Sequence, residues 1–424
     1  MSSSSYEDVT ARLSQAVEGA GPGAWADLDE EIRGLARWSR LTPAPGEWLS
    51  VTPPRRPTDV ELALALCAPD GRIREAALPY AAPVPALLPL VVIRCADWAG
   101  PVRERARALL RAELPGLAPE ALAPVAAVIL REGRRLRGEA ARELLTARLR
   151  EAPAEWPASL LTAEDRALRR LAHRVAIERG LLSPARLATI AATDHDVVVQ
   201  DVCAPAAIAA AGEDVDERVL APLLASRVGR VRATGVTALR RAGRATDAEP
   251  FLYDRSALVR ACARWTLREA GTDPLPLYRA ACASGDLTPD FAPAGLAECG
   301  DRTADAPLLW SLTAHERPRV RASAVVGLRL LDAARFPRLV PLLDDDSPRV
   351  VRETRKALAP WADHFPDGAL APAPPPPAPD HRSVGAPAPI DGPIDVPSDP
   401  VDVPASGLRS WLRRVLRSVR RREV

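Results

Sequence analysis

Five histidines, six cysteines and a recurring arginine are the residues of this 424-residue chain that could carry chemistry. His195 stands between Asp194 and Asp196 in a segment that reads as a turn, so one imidazole and two carboxylates could face a cation. No second histidine or cysteine stands at ligand spacing, and the segment reads as a solvated turn with no metal. Cys67, Cys95, Cys203, Cys262, Cys282 and Cys299 form no CxxC pair and read as small buried residues in a reducing compartment. Neither a GxGxxG nor a GxxxxGKS/T loop is present to cradle phosphate, and no GxSxG elbow presents a serine. No catalytic residue and no cofactor is expected.

The arginines are organised differently. An apolar residue that opens each second helix recurs about every 31 residues, and in most copies arginine follows it. Taking that apolar residue as an anchor gives Ile73, Val102, Leu136, Leu168, Val199, Val231, Val259, Val320 and Val350, with a missing copy near Leu296. Arginine follows it at Arg74, Arg103, Arg137, Arg169, Arg232, Arg260 and Arg321, commonly four to six residues after an acid such as Asp70, Asp97, Asp254 or Glu316. A basic strip for phosphate is one reading. The other is an acid–arginine ladder that fixes register between repeats, with Arg74, Arg103, Arg232, Arg260 and Arg321 as its rungs. The nearby acids favour the ladder.

The elements that position these residues are helix pairs. APLLWSLTAHERPRVRASAVVGLRLLD and FPRLVPLLDDDSPRVVRETRKALAPWA each read as a Leu-rich helix, a polar turn and a second helix. Gly180, Gly212, Gly243, Gly271 and Gly300 fall where second helices should end. Pro119, Pro184, Pro222, Pro307 and Pro341 fall at or near the starts of first helices. About ten units are expected over residues 58–366: an all-α fold, a right-handed α-solenoid. Residues 1–57 lack the repeat and read as an N-terminal helical cap and a Pro-rich connection.

The pattern D-x-x-x-V-R-x-x-A-x-x-A-L-x-x-x-G resembles the short bacterial HEAT-like repeat family, the kind also found in phycobilisome lyases. That resemblance implies a binding solenoid. His315-Glu316 is similar to the His-Glu pairs of HEAT-repeat deoxyhypusine hydroxylases, which need several such pairs to hold two irons; this chain has one. HEAT-like DNA glycosylases would imply a concave surface, for which Trp265, Trp310, Arg260, Arg264 and Arg321 are the candidates.

Residues 367–407 hold twelve prolines and six aspartates against one arginine, and read as a disordered tether. Residues 408–424 read as an amphipathic helix. Trp411, Leu412 and Leu416 lie on its apolar stripe, and Arg413, Arg414, Arg417, Arg420 and Arg421 on its cationic face. An anionic membrane surface is the first expected partner for this helix, with a protein groove and nucleic-acid phosphate as the alternatives. No secretory signal and no stretch of about 18 apolar residues appears, so a cytoplasmic chain is expected, peripheral at the inner face of the membrane when the tail docks. The function expected is a non-catalytic scaffold or adaptor for a protein partner. The alternatives are a nucleic-acid-binding, DNA-glycosylase-like protein and a lyase-type enzyme.

Overall fold

The computed structural model describes residues 3–19, 21–38, 56–134, 137–213 and 215–364. All their regular elements are α-helices or short 3-10 helices, with no strand among the described residues. The tether, the tail helix and the anchor Leu136 lie outside them.

Among the described residues, an N-terminal pair, Ser3–Val17 and Pro22–Trp38, precedes ten repeats of a first helix A and a second helix B. The B helices number the repeats: Gly71–Ala81, Gly100–Glu113, Glu139–Glu151, Arg166–Glu178, Val197–Ala211, Gly229–Arg241, Ala257–Glu269, Ala292–Ala297, Pro318–Leu330 and Pro348–Leu358. Two compact units divide them. One holds the residues up to Ser183 with His195–Cys203, and the other holds Pro184–Asp194 with the residues from Ala204 on.

Within each unit, successive repeats pack in chain order, solenoid fashion. In the first, the B helices of repeats 1 and 2 meet, as do the A helices of repeats 2 and 3; in the second, the B helices of repeats 6 and 7 and of repeats 8, 9 and 10 meet. The sequence explains this through one buried stripe at anchor, anchor+4 and anchor+8: Val102, Ala106 and Leu110, or Val320, Ala324 and Leu328. Burying a leucine such as Leu110 contributes about 1.5–3 kcal/mol. The small middle residue lets two backbones approach.

Three expectations change. In repeat 3 the buried stripe is Ala141, Leu145 and Leu149, so the helix starts beyond Leu136 and Arg137 is an exposed turn residue. Pro222 and Pro307 lie inside their helices, because Asp216 and Asp301 cap them further upstream; the Asp301 carboxylate accepts from the Thr303 and Ala304 amides at 2.8 and 2.9 Å. Gly180, Gly212, Gly243 and Gly271 are left-handed as expected, but Gly300 is not; a side chain there would instead strike Asp305.

The N-terminal pair also runs further than the flank of one repeat. Ser3–Val17 packs on the A helix of repeat 1, and Pro22–Trp38 on the A helices of repeats 2 and 3. Trp25, Leu28 and Ile32 are buried apolar residues of that second helix.

Repeat 8 is compressed: its B helix has six residues, all buried. Gly295 makes this fit, since a Cβ there would come within 2.6 Å of Tyr278 Cζ. Tyr278 is fully buried and its hydroxyl donates to the Leu252 carbonyl at 2.7 Å, so the ring has no room to yield. Gly295→Ala is expected to lower stability by about 1–3 kcal/mol in urea unfolding. A change within about 0.5 kcal/mol, ordinary for a surface site, would contradict this contact.

None of the six cysteines is joined in a disulfide, and all but Cys299 are buried. Burial pushes the Cys95, Cys262 and Cys282 thiols up to about 12. Alkylation of the native chain at pH 8 should therefore label Cys299 first, with the buried thiols reacting only on unfolding. Mass mapping of the alkylated chain checks this, and early labelling of Cys95 or Cys262 would contradict it.

Candidate binding surface and the arginine staples

The arginine after the anchor makes one recurring construction. In repeat 6, Arg232 Nη1 donates to the Ser226 and Arg227 carbonyls of its own turn at 2.8 and 3.0 Å. Its other edge forks onto Asp254 in the turn of repeat 7, with Nε to Oδ2 at 2.8 Å and Nη2 to Oδ1 at 2.7 Å. Asp254 Oδ1 also accepts from the Ser256 amide at 2.7 Å, where the next B helix begins. One guanidinium thus closes its own turn and grips the following one.

Repeat 1 does the same with Arg74 on Asp97 at 3.0 and 2.9 Å, and repeat 9 with Arg321 on Asp345 at 2.8 Å for both bonds. Repeat 7 uses Arg260 on Glu298, the acid of the compressed repeat 8; Arg264 Nη1 joins the same carboxylate at 2.5 Å.

The partner is therefore the acid one repeat onward. The acid before each arginine in its own turn has other work: Asp70 caps the Arg72 amide at 2.9 Å, and Glu316 offers Arg321 only its carbonyl. Two candidates depart from the pattern. Arg103 donates to the Asp97 and Trp98 carbonyls, and no carboxylate among the described residues reaches it, because the turn of repeat 3 contains none. In repeat 4 the fork on Asp196 comes from Arg170 at 2.7 and 2.9 Å, while Arg169 approaches it at 3.8 Å and sits 3.1 Å from His195 Nε2.

Sequence reasoning missed Arg94, which is buried and joins Asp29 at 2.5 Å and Asp97 at 3.4 Å. It also missed the fork of Arg279 on Asp305 and the acceptor Glu298. None of these follows an anchor. Only a buried position for an arginine on an A helix could have signalled Arg94.

The acids respond as expected. The Arg170 hydrogen bonds hold Asp196 down to about 2, outweighing the opposite push of burial. Burial pushes the Asp97 carboxyl up, but the Arg74 bonds, the Ala99 amide and the two guanidinium charges prevail and leave it low. A carboxylate with a depressed folded value adds stability at pH above its ordinary 3.8 and loses it as pH falls through the folded value. Stability is accordingly expected to be flat from neutral pH to about 5 and to fall from there toward 2. Asp196→Asn should lessen that fall, and equal acid profiles for the two chains by circular dichroism would contradict the assignment.

The residues considered for chemistry are committed elsewhere. His315 Nε2 lies 3.1 Å from the Gly285 carbonyl, and its Nδ1 accepts from the Arg317 amide at 3.0 Å. Arg260 and Arg264 close on Glu298, and Arg321 on Asp345. Trp310 is buried with the Arg338 guanidinium 4.1 Å from its ring centroid, and Trp265 stacks with Arg240. The tail candidates Trp411, Leu412, Arg413, Arg414, Leu416, Arg417, Arg420 and Arg421 lie outside the described residues.

A cleft of about 630 Å³ opens between the turns of repeats 8, 9 and 10, lined by Asp290, Arg317, Pro318, Arg319, Ser347 and Arg349. No helix among the described residues is long and apolar enough to cross a membrane.

No protein family and no curated protein matches this chain. Among solved structures, Kap121p is similar over 82% of this chain at 12% identity, with a TM-score of 0.30. The karyopherin Kap121p bound to the extreme C-terminus of the protein phosphatase Cdc14p gives 13% and 0.31 over 79%. The chain spans about half the length of these structures, 46% and 45%. An engineered protein is similar over 83% of this chain and 98% of its own, at 16% identity and a TM-score of 0.23. TM-scores this low assign neither family nor function.

Proposed function

We propose that the chain is a non-catalytic HEAT-like scaffold that holds a protein partner along its repeats. Its C-terminal helix, residues 408–424, would bring the complex to an anionic membrane surface. The observation that carries this reading is the arginine staple. Arg232 and Arg321, which follow the anchors of repeats 6 and 9, are closed on carbonyls of their own turn and a carboxylate of the next repeat, so they build the body and leave helix faces for docking. Repeats that contact only their neighbours make extended surfaces suited to long partners. In the first unit the N-terminal pair covers A helices of repeats 1 to 3, which favours the B side there as the docking face.

For the tail, seven arginines against one glutamate stand beside a stripe holding Trp411. Each arginine near an anionic surface contributes about 1 kcal/mol. The full chain should co-sediment with phosphatidylserine vesicles, and a chain ending at Gly407 should lose that binding at least tenfold. Equal sedimentation of the two would reject the membrane role. The shortened chain should still retain a protein partner captured by the full chain; loss of that partner would place the docking surface on the tail instead.

A further inference from the structure

We propose that the cleft between the turns of repeats 8, 9 and 10 is an internal docking site for the acidic stretch Asp391–Asp402 of the same chain. Arg232, Arg260 and Arg321 are largely buried and each is forked by a carboxylate. These turns also carry the exposed acids Glu316, Asp344 and Asp346, which stand outside the lining of the cleft. Three guanidiniums line it, from Arg317, Arg319 and Arg349, against the single carboxylate of Asp290. Asp290 meets Arg317 at 3.2 Å and Arg319 at 3.4 Å, and both arginines are well exposed. Arg349 is exposed and makes no hydrogen bond or ion pair among the described residues. The starts of two B helices, at Pro318 and Pro348, add the positive ends of their dipoles. Such a lining suits an extended peptide with carboxylates spread along it.

The chain itself carries one. Asp391, Asp395, Asp399 and Asp402 fall within twelve residues, and no basic residue lies between Arg382 and Arg409. Pro393, Pro397, Pro400 and Pro404 restrict that stretch, so docking it loses little backbone freedom. Distance is no obstacle. His364, the last described residue, lies just past the repeat 10 B helix, and Arg349 is at that helix's start, an 11-residue span of about 16 Å. The 26 residues from 365 to 390 reach about 80 Å when extended. A tether of this length keeps the stretch near the cleft at an effective concentration of about millimolar. Docking would hold the tail helix beside repeat 10 until a stronger acidic surface displaces it.

The test uses the full chain. Lys356, outside the cleft lining, is its only lysine, so Arg349→Lys places a single side-chain amine in the cleft and keeps the charge. Zero-length carbodiimide coupling should then join position 349 to one of the four aspartates within a single chain. That product should vanish when the four are changed to Asn, and in about 1 M salt, where the screening length is about 3 Å. Coupling only to Asp290, Asp346 or another carboxylate of the body overturns the proposal. So does coupling shared equally between isotope-labelled and unlabelled chains, which would assign the cleft to a second copy. An independent arm needs no new lysine: cleavage by an Asp-specific protease at Asp391–Asp402 should be slower in the native chain than in Arg317→Glu/Arg319→Glu. Equal rates overturn the proposal too.

Discussion

Replacing Asp97 with alanine is expected to lower the stability of the N-terminal unit by about 3–5 kcal/mol, the largest single-residue effect in the molecule. Asp97 takes both forked bonds of Arg74, a 3.4 Å bond from Arg94 and the Ala99 amide at 2.9 Å. Neither the Arg74 nor the Asp97 side chain has any solvent exposure. Without the carboxylate, Arg74 keeps the Ala68 and Pro69 carbonyls and the Trp98 ring but no counter-charge, and Arg94 keeps only Asp29 as its counter-charge. Two buried cations would then lack the anion between them. Arg74→Met combined with Asp97→Ala should recover part of the loss, because the uncompensated charge goes with the pair. The exposed pair Arg302–Asp332 supplies the contrast: Arg302→Ala should cost no more than about 0.5 kcal/mol. Urea unfolding, followed by hydrogen exchange in repeats 1 and 2, measures both. Equal small losses for Asp97→Ala and Arg302→Ala would contradict the burial argument.

Glu298→Ala comes second, at about 2–4 kcal/mol, somewhat less than Asp97 because its side chain retains 13% exposure. Glu298 neutralises Arg260 from repeat 7 while Arg264 reaches it from one turn further along the same helix. Arg264 also lies 3.4 Å from the Tyr278 hydroxyl, so the loss should spread into the A helix of repeat 8. Glu298→Gln keeps the acceptor oxygen and should cost about half as much. Hydrogen exchange should rise in repeats 7 and 8 and stay unchanged in repeats 9 and 10. A uniform rise throughout the unit would indicate that Glu298 does not act locally.

The helical repeat was legible in the sequence because its signal is carried by packing. Apolar residues at anchor, anchor+4 and anchor+8 must share one helix face, and any partner helix reads that face in the same way. The staple was only half legible. Asp97 lies six residues before Arg103 and 23 after Arg74, and a periodic chain offers both pairings at every repeat. Spacing cannot choose between them; the forked geometry and the buried position of Arg74 can. Repeat 3 misled for a related reason, since Leu136-Arg137 imitates the motif five residues before the stripe that is buried, Ala141-Leu145-Leu149. The charged cleft of repeats 8 to 10 gave no signal at all, because its lining is assembled from three turns about 30 residues apart.

A double-mutant cycle on Arg232 and Asp254 tests most directly whether these arginines staple each repeat to the next. The account predicts that Arg232→Ala and Asp254→Ala each destabilise the second unit, that the double variant costs far less than their sum, and that the coupling is about 1–3 kcal/mol. Losses that add within about 0.5 kcal/mol would contradict it, leaving apolar packing alone to hold the repeats in register.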